Sequence, residues 1–180
     1  PLYIKWIWGI SRSQCCGAMI FEEVVKQGKY RQAFLGTNQR TLDALKTKIE
    51  GWGVDTSGMM FMELPYCHVD DFDYPAIARM LEDFEAEVVW VALGAPKQEI
   101  FMHKLKPHLK KGVQLGVGAA FNFHAGMNEK RAPKWMIRNR MELVYRIMQD
   151  PKKQLRRCGL IVATLPKIFW REMQRRRKVE

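Results

Sequence analysis

Residues 30–118 alternate between short apolar segments and longer segments whose apolar residues recur at helical spacing. The apolar segments 30–36, 58–64, 87–93 and 112–118 have the length and composition of buried strands. Strands joined by intervening helices run parallel, because each helix carries the chain back to the edge where the next strand starts. The alternation therefore predicts an α/β fold built on a parallel sheet.

Three of the segments that follow these strands predict helices. Asn38 precedes the first and is suited to cap it, because its side-chain oxygen can accept a hydrogen bond from an unpaired backbone N–H. The carboxylates within 68–74 precede the second and are interpreted as caps, since a metal would need further ligands at matching spacing. The third helix is predicted from Pro96 to about His108. The residues predicted to face the core are Leu42, Leu45 and Ile49 in the first helix and Ile77, Met80, Leu81 and Phe84 in the second.

The strand pattern stops after Gly118, and residues 133–180 predict helices with a break at Pro151. We therefore place an α/β core at residues 1–150 and a C-terminal appendage at residues 151–180. The formal net charge of the chain is +11, and the appendage holds ten Lys and Arg against two Glu. The positive charge is thus concentrated in the appendage.

The appendage interleaves apolar residues with arginine clusters, and this basic amphipathic pattern favours a segment that lies on an anionic membrane surface. Binding to a nucleic acid backbone and a solvated, partly disordered tail are the alternatives. The apolar residues are Leu160, Ile161, Val162, Leu165, Ile168, Phe169 and Trp170. The candidate contacts to phosphate and anionic lipid are Arg171, Arg175, Arg176 and Arg177.

The cysteines and histidines give no sign of a metal site or a disulfide framework. Cys15, Cys16, Cys67 and Cys158 form no Cys-x-x-Cys pair, and the four histidines form no His-x-x-x-His pattern. No apolar run approaches the roughly 18 residues of a membrane-spanning helix. We expect a cytosolic setting and no metal or other bound cofactor.

In an open parallel sheet the ligand crevice lies beyond the carboxyl ends of the strands, which directs attention to the loops after Gly36, Leu93 and Val117. The last loop contains Gly116–Gly118, a Gly-x-Gly turn directly after a strand, but Phe121 stands at the third glycine position of a dinucleotide-binding motif. We therefore interpret it as a turn where the backbone can approach a ligand closely, and not as a nicotinamide site.

Gly94 and Pro96 form the turn into the third helix, within the segment VALGAPKQE. Pro96 suits the first helical position because the N–H it lacks would be unpaired there. Gln98 and Glu99 are then the third and fourth helical residues, near the positive end of the helix dipole. One interpretation is an anion or sugar site in which Gln98 offers a donor and an acceptor to hydroxyls. The alternative is that Gln98 is solvated and Glu99 only complements the dipole.

Arg131 and Arg146 stand among apolar neighbours in the sequence. A guanidinium in such a place can bind a diphosphate with two parallel hydrogen bonds. The alternative is a surface arginine whose aliphatic stem covers the core.

Four ordered blocks resemble the WecG/TagA/CpsF glycosyltransferases, also called glycosyltransferase family 26. The blocks are VVWVALGAPKQEIFMHK, GVQLGVGAAFNFHAG, RAPKWM and MELVYRIMQDPKK, and the similarity covers about residues 30–170. The resemblance implies a Rossmann-like core that transfers an N-acetylhexosamine, of the N-acetylmannosamine or uronic acid type, from a UDP-sugar to a polyprenyl-diphosphate-linked saccharide. It further implies a metal-independent, inverting hexosyltransferase of cell-envelope or capsular polysaccharide synthesis, whose arginine-rich appendage reaches the membrane and helps complete the active site.

The family's functional positions carry over residue by residue. The donor loop of the family corresponds to Gly36, Thr37 and Asn38, and the block whose glutamine is implicated at the active site corresponds to Gly94, Pro96, Gln98 and Glu99. The second glycine block corresponds to Gly116, Gly118 and Phe121. An Arg-Ala-Pro block corresponds to Arg131, Ala132 and Pro133, and a later block to Glu142, Tyr145 and Arg146. This chain departs from the family pattern at Thr37, Asn122 and Leu143, where the family has Gly, Asp and Trp.

The family's proposed general base is an aspartate in an Asp-Gly stretch upstream of residue 30, and we find no counterpart for it in this sequence. Three explanations stay open. The aspartate precedes Pro1 in a longer protein, another residue is the base, or the chain is an inactive sugar-nucleotide-binding or scaffold homologue.

We expect the diphosphate of a UDP-sugar to lie near the helix N-termini at Asn38 and Pro96 and near Arg131 or the arginines of the appendage, which would stabilise the leaving UDP without a divalent ion. Gln98 is assigned to positioning the sugar and Glu99 to orientation or to the helix dipole. We expect a peripheral location on the inner face of the cell membrane and no nucleic acid partner. The sugar, the acceptor, the polymer and the oligomeric state, a homo-oligomer included, stay open.

Overall fold

The protein divides into two units, one formed by Cys15–Lys130 and the other by Pro1–Gln14 together with Arg131–Glu180. The structure is a computed structural model that describes residues 9–10, 17–127, 133, 136, 141–149 and 151–176. The division expected between residues 150 and 151 stays a prediction.

A parallel sheet of four strands forms the centre of the first unit, in the order β2-β1-β3-β4. The strands are β1 (Gln32–Leu35), β2 (Met60–Met62), β3 (Val88–Val91) and β4 (Val113–Gly116). Each lies inside a predicted strand and is one or two residues shorter at either end. The predicted α/β fold with a parallel sheet is therefore confirmed.

Helices cover both faces of this sheet, and a long helix belongs to the second unit. In chain order they are α1 (Gly17–Gln27), α2 (Gln39–Glu50), α3 (Tyr74–Asp83), α4 (Lys97–Leu105), α5 (Ala120–His124), α6 (Glu142–Gln149) and α7 (Pro151–Arg176), with a 3₁₀ turn at Lys106–His108 after α4. The predicted helices correspond to α2, α3, α4, α6 and α7, whereas α1 and α5 were not predicted. Helix α7 begins at Pro151, where the sequence places the break.

The two central strands are buried on both faces, which explains their uninterrupted apolar sequence. One face packs against α1, α2 and α5, and the other packs against α3 and α4. The first core contains Phe21, Phe34, Leu42, Leu45, Ile49, Trp90 and Phe121. The second contains Ala33, Leu35, Ile77, Leu81, Val89, Val91, Phe101 and Leu105.

Both predicted helix caps are present. The Asn38 Oδ1 atom accepts a hydrogen bond from the Thr41 backbone N–H at 2.9 Å, at the start of α2. The Asp73 Oδ1 atom accepts one from the Ala76 N–H at 2.9 Å, at the start of α3. These caps hold the ends of the loops that follow β1 and β2 in place.

The core face of α3 differs from the prediction at one residue. Met80 was predicted to face the core, and this is wrong, because its side chain is 49% exposed. The buried positions of α3 are Tyr74, Ile77, Ala78 and Leu81. They recur at three and four residues, so Met80 lies about 100° around the helix from Leu81 and points to solvent.

In the second unit, α6 and α7 contact each other. On α7 the apolar side chains of Val162 and Trp170 are each 68% exposed, and Leu165 and Ile168 are also exposed. Within the described ranges, no helix is both long enough and apolar enough to cross a membrane.

The neighbours Leu81 and Met80 give a matched test of the α3 core face. Leu81→Ala should lower the free energy of unfolding by about 2–5 kcal/mol, because Leu81 is 1% exposed and its truncation leaves a cavity. Met80→Ala should change it by about 0.5 kcal/mol or less. Urea unfolding of both variants measures the difference, and equal losses would contradict the assigned face.

Candidate functional site

The loops after β1 and β3 meet at the point where the strand order reverses. From β1 the chain continues to β2 on one side of the sheet, and from β3 it continues to β4 on the other side. Ligands of open parallel sheets bind at such a switch point, outside the carboxyl ends of the strands. The predicted donor loop, Gly36–Asn38, and the segment that begins at Ala92 therefore flank the expected crevice.

Gly36 lies against the backbone of Ala92, the residue after β3, in a conformation that favours glycine. Its φ is +117°, and an added Cβ atom would lie 2.9 Å from the Ala92 carbonyl oxygen. Its N–H donates a hydrogen bond to the Met62 carbonyl at 3.2 Å, so the residue is also tied to β2. Gly36 thus permits the close approach of the two loops at the switch point.

Thr37 has a positive φ of 57°. This is the position where the resemblance places a second glycine, and the backbone conformation explains that preference, because left-handed conformations cost a non-glycine residue about 1–2 kcal/mol. In this chain the loop keeps the left-handed conformation with a β-branched residue.

Helix α4 begins one residue later than predicted. Pro96 is the N-cap, with a ψ of 1° that is outside the helical range, so Lys97 is the first helical residue. The placement of Pro96 at the first helical position is therefore wrong, and Gln98 and Glu99 are the second and third helical residues. The alternative of a solvated Gln98 is also wrong, since its side chain is only 7% exposed.

The side-chain amide of Gln98 connects the start of α4 with the turn after β4. Its Oε1 atom accepts a hydrogen bond from the Gly118 backbone N–H at 2.9 Å. Its Nε2 atom donates to Glu99 Oε1, also at 2.9 Å. Gly116 lies beside the same amide, because a Cβ atom added there would be 3.1 Å from Gln98 Nε2. The structure thus brings together the Gly116–Gly118 turn and the Gln98–Glu99 pair.

Phe121 belongs to the core beneath this turn. It is 1% exposed, and its ring lies 5.6 Å from the Phe21 ring and 6.0 Å from the Phe34 ring, between centroids. Its ring therefore supports the turn after β4 from the core side. Its assignment as a substrate-binding residue stays a prediction.

The predicted arginines are described only in part. Arg131 and Arg177 lie outside the described residues, and of Arg146 and Arg176 the structure describes the helical backbone alone. Arg171 and Arg175 are exposed on α7. The Arg175 guanidinium lies 3.8 Å from the Glu172 carboxylate, and its side chain is 73% exposed, so this weak pair leaves the cation accessible.

Lys97 is a site residue that the sequence interpretation missed. Its ammonium donates a hydrogen bond to the Cys67 carbonyl and lies 5.1 Å from the Phe72 ring centroid and 5.6 Å from that of Tyr66. These contacts tie the loop after β2 to the start of α4. A cation in the first turn of a helix opposes the helix dipole, and this mismatch is a sign of a tertiary contact.

The carboxylates of the loop after β2 are used within the protein. Asp70 pairs with Lys104 and, at 3.0 Å, with the His68 ring. The hydrogen bond from the Lys104 ammonium holds the pKa of the Asp70 carboxyl below its usual range. Among the residues that the structure describes, no group of three or more His, Cys, Asp and Glu side chains could hold a metal ion.

A cavity of about 460 Å³ opens at the opposite edge of the sheet, before β1 and β2. Two of its lining cations are paired, Lys26 with Glu22 and Arg31 with Glu85. It lies at the amino ends of the strands, where parallel sheets do not usually bind ligands. The carboxyl edge therefore remains the candidate site.

Comparison with known families decides the identity of this fold. The model of the glycosyl transferase WecG/TagA/CpsF family matches residues 2–180. The chain belongs to this family. The suspected resemblance is thereby confirmed, and the carboxyl-edge loops are those of a WecG/TagA/CpsF core.

Two curated relatives have the name N-acetylglucosaminyldiphosphoundecaprenol N-acetyl-beta-D-mannosaminyltransferase. The protein from Bacillus subtilis is 39% identical over 79 residues, 44% of this chain and 30% of the relative. The protein from Bacillus spizizenii is 36% identical over 88 residues, 49% of this chain and 34% of the relative. The matched part of this WecG/TagA/CpsF chain thus spans about a third of the length of either relative.

Gly36 and Gly53 give a matched test of the donor loop, since both have a positive φ. Gly53 has no atom within 4 Å of an added Cβ, so Gly53→Ala should cost only backbone strain, about 1–2 kcal/mol of unfolding free energy. Gly36→Ala should cost more, because its Cβ would also overlap the Ala92 carbonyl. Urea unfolding measures both losses, and a smaller loss for Gly36→Ala would contradict the close approach of the two loops.

Proposed function

We propose that this chain carries the α/β core of a glycosyltransferase that moves an N-acetylmannosamine-type sugar from a UDP-sugar to a lipid-diphosphate-linked saccharide. The single observation that carries the proposal is the convergence of the family's glycine and Gln-Glu motifs at the carboxyl edge of the sheet. The names of the two Bacillus relatives support the sugar and the acceptor class. The reaction belongs to cell-envelope or capsular polysaccharide synthesis.

The donor diphosphate binds at the switch point between the loops after β1 and β3. Helix α4 starts there without a side-chain cap; Glu99 in its first turn offsets part of the helix dipole, and the remaining N-terminal N–H groups offer donors to an anion. Helix α2 starts on the neighbouring loop, capped by Asn38. These helix N-termini stabilise the leaving UDP by fixed positive charge, and the transfer proceeds without a divalent ion or another cofactor.

The acceptor is a lipid, and α7 is the segment that lies on the membrane surface. Leu155, Val162, Leu165 and Met173 are exposed and spaced by three, seven or eight residues, so they share one face of the helix. Lys167 and Arg171 lie on the opposite face, where they remain in water close to anionic headgroups. This arrangement supports a peripheral location on the inner face of the cell membrane.

The transfer reaction is tested with UDP-N-acetylmannosamine and an N-acetylglucosaminyl-diphosphate lipid. We expect UDP release together with a product heavier by one N-acetylhexosamine, detected by mass spectrometry, and an unchanged rate in EDTA. The matched control is the same lipid diphosphate without its sugar. Release of UDP that does not depend on the acceptor sugar would contradict the transferase proposal, and a rate lost in EDTA and restored by Mg²⁺ would contradict the metal-free mechanism.

Membrane binding is tested by flotation with vesicles of anionic or neutral lipid. Arg171→Gln with Arg175→Gln should weaken binding to anionic vesicles by roughly fivefold for each lost charge, since a basic residue near such a surface contributes about 1 kcal/mol. Gln174→Ala, an exposed change on the same turn, is the control and should leave binding unchanged. Equal flotation of the arginine variant and its parent would overturn the membrane assignment of α7.

A further inference from the structure

We infer that Gln98 is a positioning residue, whose buried amide joins the turn after β4 to the Glu99 carboxylate and acts on sugar transfer through these two groups. The effect on catalysis rests on the proposed function. The two hydrogen bonds of the Gln98 amide, to Gly118 and to Glu99, are called the Gln98 joint below, and they are present in the protein without ligand. It gives Gln98 a role other than direct contact with the sugar.

The two partners of Gln98 fix the orientation of its amide. The Gly118 N–H can only donate, so the side-chain atom that faces it is the carbonyl Oε1. The Glu99 carboxylate can only accept, so the atom that faces it is the Nε2 amide nitrogen. Each end of the amide therefore meets a complementary partner, and a rotated amide would place like groups together at both ends.

Burial makes these hydrogen bonds costly to lose. Gln98 is 7% exposed, so solvent cannot easily replace a missing partner. A buried polar group left without a partner costs about 1–3 kcal/mol, more than the net gain of an ordinary hydrogen bond. The amide is thus held in one position. A side chain must be fixed in this way if it is to set the geometry of its neighbours.

The Gly-x-Gly turn provides the space for this amide. A Cβ atom at Gly116 would lie 3.1 Å from Gln98 Nε2 and 3.2 Å from its Cδ atom, closer than most side chains tolerate. Gly118 has a φ of +54°, a conformation that favours glycine, and its N–H donates to the Gln98 Oε1 atom. The absence of a Cβ atom at Gly116 therefore leaves room for the Gln98 amide and for the Met102 methyl group, whose Cε atom would lie 2.9 Å from that Cβ.

The joint gives the Glu99 carboxylate a defined position at the mouth of the site. Glu99 is exposed in the first turn of α4, where an unattached side chain would sample several rotamers. The bond from Gln98 Nε2 restricts it, and the same amide fixes the turn after β4. Gln98 thereby sets two walls of the crevice relative to each other.

Amide hydrogen exchange, measured by NMR on the ligand-free protein, tests the joint directly. In Gln98→Ala the Gly118 amide should exchange roughly tenfold faster, because its acceptor is gone. The Val117 amide, which donates to the Val91 carbonyl at 3.0 Å, is the internal control and should keep its protection. Glu99→Gln retains Gln98 and should protect Gly118 as the parent does. An unchanged Gly118 rate in Gln98→Ala would overturn the joint.

The pH profile of Gln98→Glu tests the action through Glu99. The introduced carboxyl can accept from Gly118 but can donate to Glu99 only when it is protonated. Protonation of the introduced carboxyl restores this donor, so the ratio of kcat between variant and parent should rise as pH falls. His103 lies one turn beyond Glu99 and Lys97 precedes Gln98, and both residues are present in the variant and in the parent.

The double variant Gln98→Glu with Glu99→Gln is the matched control. It reverses donor and acceptor between the two side chains without needing a shared proton, so the ratio of its kcat to that of the parent should rise less as pH falls than the ratio for Gln98→Glu alone. A pH-independent ratio for Gln98→Glu alone, or a Gln98→Ala effect confined to KM for the donor, would overturn the positioning role. If the parent transfers no sugar, the proposed function fails, and the Gly118 exchange rate still decides the joint.

Discussion

The pairing of β1 with β3 is the contact on which the rest of the structure depends. Both strands are buried on their two faces, so the sheet requires a helical layer on each side. The same pairing separates β2 from β4 and creates the switch point at the carboxyl edge. Gly36 lets the loop after β1 lie against Ala92, and the site follows from this approach. The packing of the core and the location of the crevice thus have one origin.

The carboxyl edge is held together by side chains that contact neighbouring loops. Lys97 joins the start of α4 to the loop after β2, and Gln98 joins it to the turn after β4. Since the loop after β1 already touches β3 at Gly36, all four strand ends are connected. Beyond the strand ends, where the hydrogen bonds between strands stop, these contacts connect the loops. A site built on loops can be rigid when each loop is bonded to the next in this way.

Sequence alone could predict the elements whose signals are local. The apolar runs of the central strands, the caps at Asn38 and Asp73 and the buried face of α2 all depend on neighbours within a few residues. Helix α1 was missed although Phe21 and Val25 recur at helical spacing, because exposed Met19 and Ile20 blur its pattern. Helix α5 has five residues, too few to show a period. The elements of the sheet were therefore more predictable than the short helices around it.

The chemistry of the site is less predictable, because its decisive contact joins residues 20 positions apart. The Gly-x-Gly turn at Gly116 and Gly118 has the form of a phosphate-binding loop, yet here its glycines admit a glutamine side chain. Because glycine has no Cβ atom, any group can approach it closely. The motif alone therefore does not show whether that group is a ligand or a side chain of the protein. The pairing of donors with acceptors does make that distinction, since the Gly118 N–H is used by Gln98. In the protein without ligand this turn is held by Gln98, and the assignment of Gly116 and Gly118 to substrate binding stays a prediction.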